Sequence, residues 1–243
     1  MKAYLTSLAH RDRTENSDRH LAFYLTFIAG AANAGGFMAV GQYTSHMSGI
    51  VSGMADTLVL GRYDLFLTGA LALGSFMAGA AISAILINWA RRRALRSVYA
   101  LPLALECGLM MLFAVSGYTP ARLLMIIALL CFIMGLQNAM ITKLSGARIR
   151  TTHVTGLVTD TGIELGKLFY WNGHARDGKA PVTADKPKLK LLCEMILLFF
   201  IGGVSGAFVF QHLGTSAALL LAFPLGILAL FPLLEDYGHH DKS

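Results

Sequence analysis

FIAGAANA at 27–34 is followed by TSHMSGIV at 44–51, and the pair returns later as FIMGLQNA at 132–139 and TTHVTGLV at 151–158. The first block repeats identically at Phe27/Phe132, Ile28/Ile133, Gly30/Gly135, Asn33/Asn138 and Ala34/Ala139. The second repeats at Thr44/Thr151, His46/His153, Gly49/Gly156 and Val51/Val158, and its other positions keep size or chemistry. Two copies in the same order mark an internal structural repeat, and in a membrane chain that is a transporter-like pattern.

Apolar residues make up 55% of the chain and charged residues 14%, against about 25% charged in soluble domains. The class is therefore polytopic membrane protein. Twenty-five glycines fit close helix packing in lipid. The net charge of +6 is no nucleic-acid signal, because the basic residues lie between apolar stretches. Cys107, Cys131 and Cys193 sit inside apolar runs without a pairing pattern, which reads as small buried side chains. The N-terminal residues lack the apolar core of a signal peptide and form a polar arm, with Ser17 or Asp18 as a helix cap.

Six stretches are long enough to span: 21–40, 65–89, 98–116, 121–141, 191–211 and 216–234. The segments 44–61 and 151–170 are apolar but carry Asp56, Asp160 and Glu164, so they face lipid poorly. If both are re-entrant and the N-terminus is cytoplasmic, eighteen of twenty basic residues fall on the cytoplasmic side, with Arg62 and Arg122 outside. If both crossed fully, the Arg91–Arg96 cluster would lie outside whenever the N-terminal arm is inside. The positive-inside rule selects the re-entrant arrangement. Each repeat then holds three crossings, so the two copies are inverted.

The expected fold is an all-α integral membrane protein with six transmembrane helices and two re-entrant half-helices in two inverted-topology repeats. A cytoplasmic arm covers 1–20, membrane repeats cover 21–117 and 118–234, and a disordered cytoplasmic tail covers 235–243. The later helices echo as Ala78-Gly79-Ala80 with Ser205-Gly206-Ala207, and Leu101-Pro102-Leu103 with Phe223-Pro224-Leu225. Small residues at four-residue spacing, such as Gly74/Ala78 and Gly202/Gly206, suit helix crossings. The setting is the bacterial cytoplasmic (inner) membrane, with both termini and the polar loop 171–190 in the cytoplasm.

A half-helix exposes its first backbone N–H groups and the positive end of its dipole. Thr44, Ser45 and Ser48, and Thr151, Thr152 and Thr155, are cap-forming types where such helices begin, and Gly49 and Gly156 leave the backbone bare. Two inverted N-termini meeting near the midplane favour an anion. His46 and His153 read as neutral hydrogen-bonding residues. Asn33 and Asn138 lie mid-membrane, and for at least one of them the simpler role is a tether to the half-helix. The substrate-binding set is therefore Asn33, Thr44, His46, Ser48, Gly49, Asn138, Thr151, His153, Thr155 and Gly156. No HxxxH or CxxC spacing occurs, so neither metal nor cofactor is expected.

Glu106 lies near the centre of the third span without an acidic counterpart in the sixth. An acid at that depth is protonated, paired or wet, which makes it the leading proton-coupling site, with Asp56 and Asp160 as further members. Glu194 beside Lys190 reads as an ion pair.

Gly30, Asn33-Ala34, Thr44, Ser48-Gly49, the run 135–139 (GLQNA) and Thr155-Gly156 resemble the YoaK-like family of small membrane proteins, whose function is not established. The resemblance covers most of the chain and implies a fold but no substrate. Asn33 stands where members of that family carry an acid, and Ile50 follows Ser48-Gly49 where a Thr-Gly-Asn run is expected.

The leading expectation is a transporter or channel-like carrier for a small anionic solute, bound near the bilayer midplane. Its partners are that solute, the lipid bilayer and further copies of itself, and not nucleic acid. The alternatives are a membrane-embedded enzyme using His153 and Asp160, or a non-transporting scaffold.

Overall fold

The structure is a computed structural model that describes residues 15–93, 95, 97–117, 119–144, 154–172 and 181–240. Among them the chain is helical: α1 (Glu15–Val40), α2 (Met47–Val59), α3 (Tyr63–Arg92), α4 (Ala100–Ser116), α5 (Leu123–Leu144), α6 (Val154–Leu168), α7 (Lys186–Leu213) and α8 (Ala218–His240). Short 3-10 turns, Pro120–Arg122 and Gly214–Ala217, precede α5 and α8.

Four continuous helical stretches are long and apolar enough to cross a membrane: Arg19–Val40, Tyr63–Arg92, Leu123–Lys143 and Lys186–Leu234. The last, at 49 residues, takes in both α7 and α8. α4 is apolar but shorter, at 17 residues. α2 and α6, at 13 and 15 residues, reach roughly 20 Å at 1.5 Å per residue, short of a ~30 Å hydrocarbon layer. Glycines set the turns around α2. Gly41, directly after α1, and Gly61, one residue beyond the Leu60 C-cap of α2, hold φ of +73° and +68°, a backbone that L side chains rarely adopt.

The helices are joined by pairs. α1 runs parallel to α7: Arg19 pairs with Glu194 at one end, Phe27 meets Gly202 and Gly30 meets Phe199 midway, and Gly35 faces the Phe210 ring further on. α3 runs parallel to α5 in the same manner. Ala72 packs with Ile127 and Cys131, Phe76 meets Gly135, Gly79 meets Phe132, and Lys143 Nζ donates to Asn88 Oδ1 at 3.0 Å. α4 runs antiparallel to α8, fixed by Ser97 Oγ to the Pro232 carbonyl (3.0 Å) and Cys107 Sγ to the Ala222 carbonyl (3.2 Å). α1 crosses α5 antiparallel, with Gln137 Nε2 donating to the Leu25 carbonyl at 3.5 Å and Leu130 beside Gly36. α2 and α6 lie on α3 and α7 respectively.

Both parallel crossings use one device, Phe-x-x-Gly, on all four helices: Phe27/Gly30, Phe76/Gly79, Phe132/Gly135 and Phe199/Gly202. At each glycine an added Cβ would overlap the carbonyl of the partner's phenylalanine. Between apolar helices in lipid there is no hydrophobic gain over contact with lipid tails, so dispersion at such close approaches holds them together. The central core comprises Leu25, Leu103, Met110, Phe113, Ile133 and Leu225, all fully or almost fully buried. Leu67, Met77 and Ile85 on α3, and Leu197, Phe200 and Phe208 on α7, point outward.

Several sequence expectations change. The crossings pair Gly79 with Gly202 as equivalents, not with Gly206, because the backbone contact follows the Phe-x-x-Gly spacing. Helix α1 begins at Glu15, so Ser17 and Asp18 lie inside it rather than capping it. The tail expected to be disordered continues α8 to His240. Cys107 and Cys131 are buried, but Cys193 is exposed.

Candidate functional site

Asn33 sits on α1 two turns before its end and reaches the loop that leads into α2. Ser45 Oγ donates to Asn33 Oδ1 at 2.8 Å, tying the short helix to the long one. The hydroxyl that makes this tether is thus Ser45, not Thr44 or Ser48. Thr44 is fully buried against Gly36, and its Oγ1 has no partner among the described residues. It caps nothing. The residue at the N-cap of α2 is His46, which makes no side-chain cap bond. The N–H groups of Met47 and Ile50 go to the Ser45 and His46 carbonyls, and among the described residues those of Ser48 and Gly49 have no backbone acceptor. The His46 ring lies over Gly49, where a Cβ would collide with it, and Ser48 is exposed.

A cavity of about 430 Å³ opens beside this end, lined by His46, Gly49 and Thr57 from α2 and by Thr68 and Gly69 from α3. A second, of about 490 Å³, lies between α1, α7 and Val154 at the start of α6. Asn33 and Tyr43 are the only polar residues among the described ones in its wall, and Tyr43 stacks on Phe37 at 4.8 Å. Tyr43, Phe37 and Gly203 are missed by the sequence reading. Nothing in the repeated motifs points at them, although Gly202-Gly203 stands out as a double glycine in α7.

The second copy of the motif is arranged differently. Asn138 Nδ2 donates to the Met134 carbonyl on its own helix at 2.9 Å, and its carbonyl accepts from Thr142 Oγ1 at 2.8 Å. Thr151 and His153 lie outside the described residues. Thr155 and Gly156, in the first turn of α6, are exposed.

Glu106 is 0% exposed, and neither carboxylate oxygen has a hydrogen-bond partner among the described residues. An unpaired charge at that depth would be costly. Asp56 is exposed near the end of α2.

Asp160 and Glu164 belong to a charged cluster that fastens α6 to the start of α7. Glu164, 1% exposed, accepts from Lys167 Nζ (2.9 Å) through Oε1 and from the Asp185 backbone N–H (3.0 Å) through Oε2, with Lys188 Nζ at 3.5 Å. The Asp185 N–H and then the Lys167 ammonium hold its carboxyl below the usual carboxylate range. Asp185 in turn caps α7, accepting from Lys188 N at 3.0 Å. Asp160 is half-exposed and 4.0 Å from Lys188. Glu194 pairs with Lys190 as read from the sequence, and also with Arg19 of α1.

The long apolar helices and their outward apolar faces mark a membrane protein that is helical throughout its described core. The model of the family described as "Protein of unknown function (DUF1275)" matches residues 21–231, and the chain belongs to that family. No curated protein and no solved structure gives a significant match.

Proposed function

We propose that this protein is a transporter or channel-like carrier for a small anionic solute, built as six crossings and two re-entrant half-helices in two inverted repeats. Within its family we keep the narrower likeness to YoaK-like proteins as part of this reading, together with a bacterial cytoplasmic-membrane setting and cytoplasmic termini.

One observation carries the proposal. The helix partnerships are unchanged when the two halves are exchanged: α1 with α7 becomes α5 with α3, α2 with α3 becomes α6 with α7, and the α4–α8 pair maps onto itself. The helix directions agree. α1 and α7 are parallel, α3 and α5 are parallel, and α1 opposes α5, so the order of directions in one half is reversed in the other. Such a duplication in opposite senses supports alternating exposure of one site to two sides. Each half contributes a helix too short to span. The first turn of α2 is uncapped by any side chain and opens onto a cavity with His46 and Gly49 in its wall. Free N–H groups and a helix dipole there favour negative charge. Glu106, sealed in the α4–α8 region, is the proposed proton carrier.

The test is a graded variant series in reconstituted vesicles. Gly49→Val and Gly156→Val place side chains where the solute's polar end approaches, and Gly49→Val also displaces the His46 ring. Ser48→Ala and Thr155→Ala each remove one exposed hydroxyl, worth at most a hydrogen bond to the solute of about 0.5–1.5 kcal/mol. Binding and flux should fall more for valine at glycine than for alanine at hydroxyl, with the same ranking in both halves. Monodisperse valine variants with unaltered flux would assign the repeats to architecture alone.

A further inference from the structure

The cavity between α1, α7 and the start of α6 holds an unused donor. Asn33 is 9% exposed, and its Oδ1 is occupied by Ser45. Its Nδ2 has no acceptor among the described residues. The matched Asn138 spends its own Nδ2 on the Met134 carbonyl, so the repeat does not force this state. The amide N–H is left as a free donor at the cavity wall. Apart from Tyr43, the rest of the described wall is apolar, with Ala34, Phe37, Phe199, Gly203 and Ala207 among its residues, so a molecule that fills the space with one acceptor oxygen would meet this donor. Phe200 and Val204, midway along α7, also line the cavity and are 66% and 55% exposed. Its mouth therefore faces sideways, at the depth of the hydrocarbon layer.

We infer that this cavity binds a small amphipathic molecule, with a hydrocarbon or aromatic body against α7 and one carbonyl or carboxyl oxygen on Asn33 Nδ2, entering from the bilayer. The inference rests on the proposed carrier function but concerns a second cavity, apart from the one at the start of α2, and gives its ligand class: hydrophobic weak organic acids. The volume of about 490 Å³ lies within the usual range for small-molecule sites. A membrane lipid fits less well. Its ester carbonyls stay at the interface, and an acyl chain would lay methylenes against Asn33. Gly203 makes the room. A Cβ there would meet only the Gly30 carbonyl oxygen, at 3.8 Å, which is ordinary contact. A larger side chain at 203 is thus tolerated by the backbone and fills the cavity.

The test uses the full chain in lipid nanodiscs, with 4-benzoylbenzoate as photolabel and octanoate or octane as competitor. Labelling should map to peptides containing Phe37 and residues 199–207, and octanoate should displace it where octane does not. Asn33→Leu should weaken octanoate competition roughly tenfold, the worth of one hydrogen bond. Because Asn33→Leu also cuts the Ser45 tether, Gly203→Leu is the second variant, expected to abolish labelling in a monodisperse protein. Labelling spread over the outer faces of α3 and α7, untouched by Gly203→Leu, would be lipid-annulus partitioning and would overturn the site. Equal displacement by octane would also overturn it. Site labelling without octanoate flux in vesicles would keep this site and remove the carrier function. Octanoate flux that persists in Gly203→Leu would do the reverse.

Discussion

Adding one methyl group at a Phe-x-x-Gly crossing tests the packing directly. In Gly79→Ala the new Cβ meets the Phe132 carbonyl, and in Gly135→Ala it meets the Phe76 carbonyl. Gly30→Ala and Gly202→Ala do the same to Phe199 and Phe27. The obstructing atom is backbone in every case and cannot swing aside, so the helices must separate. Overpacking of this kind costs about 1–3 kcal/mol. For a chain of this size that lowers the melting temperature by roughly 2–12 °C. Gly74→Ala on the same helix is the control. Nothing lies within 4 Å of its added Cβ, and alanine is the better helix former by up to about 1 kcal/mol. Thermal unfolding in one detergent, followed by intrinsic fluorescence, should rank all four crossing variants below the parent and Gly74→Ala at or above it. The double variant Gly79→Ala/Gly135→Ala should cost less than the sum, because both methyls strain one crossing, whereas Gly79→Ala/Gly202→Ala should add. A crossing variant as stable as the parent, or an additive double at one crossing, would refute the close-approach reasoning.

Glu106→Gln replaces a sealed acid by a neutral group of the same shape. It should leave the melting temperature unchanged or higher and flatten the pH dependence of flux, and an unaltered pH profile in vesicles would assign Glu106 to packing. At the α6–α7 junction, Glu164 has its carboxyl lowered by the Asp185 N–H and Lys167, so the tether it makes is present above the ordinary carboxylate range, about 4.3, and is lost as pH falls through the lowered value. Hydrogen exchange around 185–189 should accordingly rise on acidification. Glu164→Gln should raise it already at neutral pH, and exchange indifferent to both would show the cluster to be dispensable. Cysteines placed at Arg93 and Val182 in intact cells should react only with permeant maleimide, and labelling by an impermeant reagent from outside would reverse the proposed orientation.

The first helices of the two halves are legible because sequence and contact coincide there: Phe27 and Gly30 recur as Phe132 and Gly135 within longer identities. Their partners are not. Phe76/Gly79 and Phe199/Gly202 share only those two residues amid unlike neighbours, since a backbone crossing demands the lack of a Cβ and little else. The sequence pattern consequently aligns Gly79 four residues off. Lys190–Glu194 is readable as a one-turn pair, but Arg19–Glu194 joins residues far apart in the chain and exists only once α1 lies along α7. Asn33 is recognisable as a costly mid-helix amide. That Ser45 takes its oxygen while its nitrogen faces a cavity depends on the turn at Gly41 and on the empty volume above Gly203, neither of which has a sequence period. Thr44 illustrates the opposite error. Its hydroxyl suits a cap, yet the helix starts later and the side chain is buried against Gly36.

The exchange of partners between the halves bears on how the molecule is made. α1 leaves the ribosome first, but the helix it lies along is seventh, and α3 has to wait for α5. Until then the bare strips at Gly30 and Gly79 have only lipid tails to fill them, so neither half is a finished unit when its own synthesis ends. The α1–α7 and α6–α7 contacts can close only once α7 has been made. A fragment ending near Gly117 should therefore insert yet stay loosely packed and open to proteolysis, and supplying the rest as a separate polypeptide should restore it by interlocking.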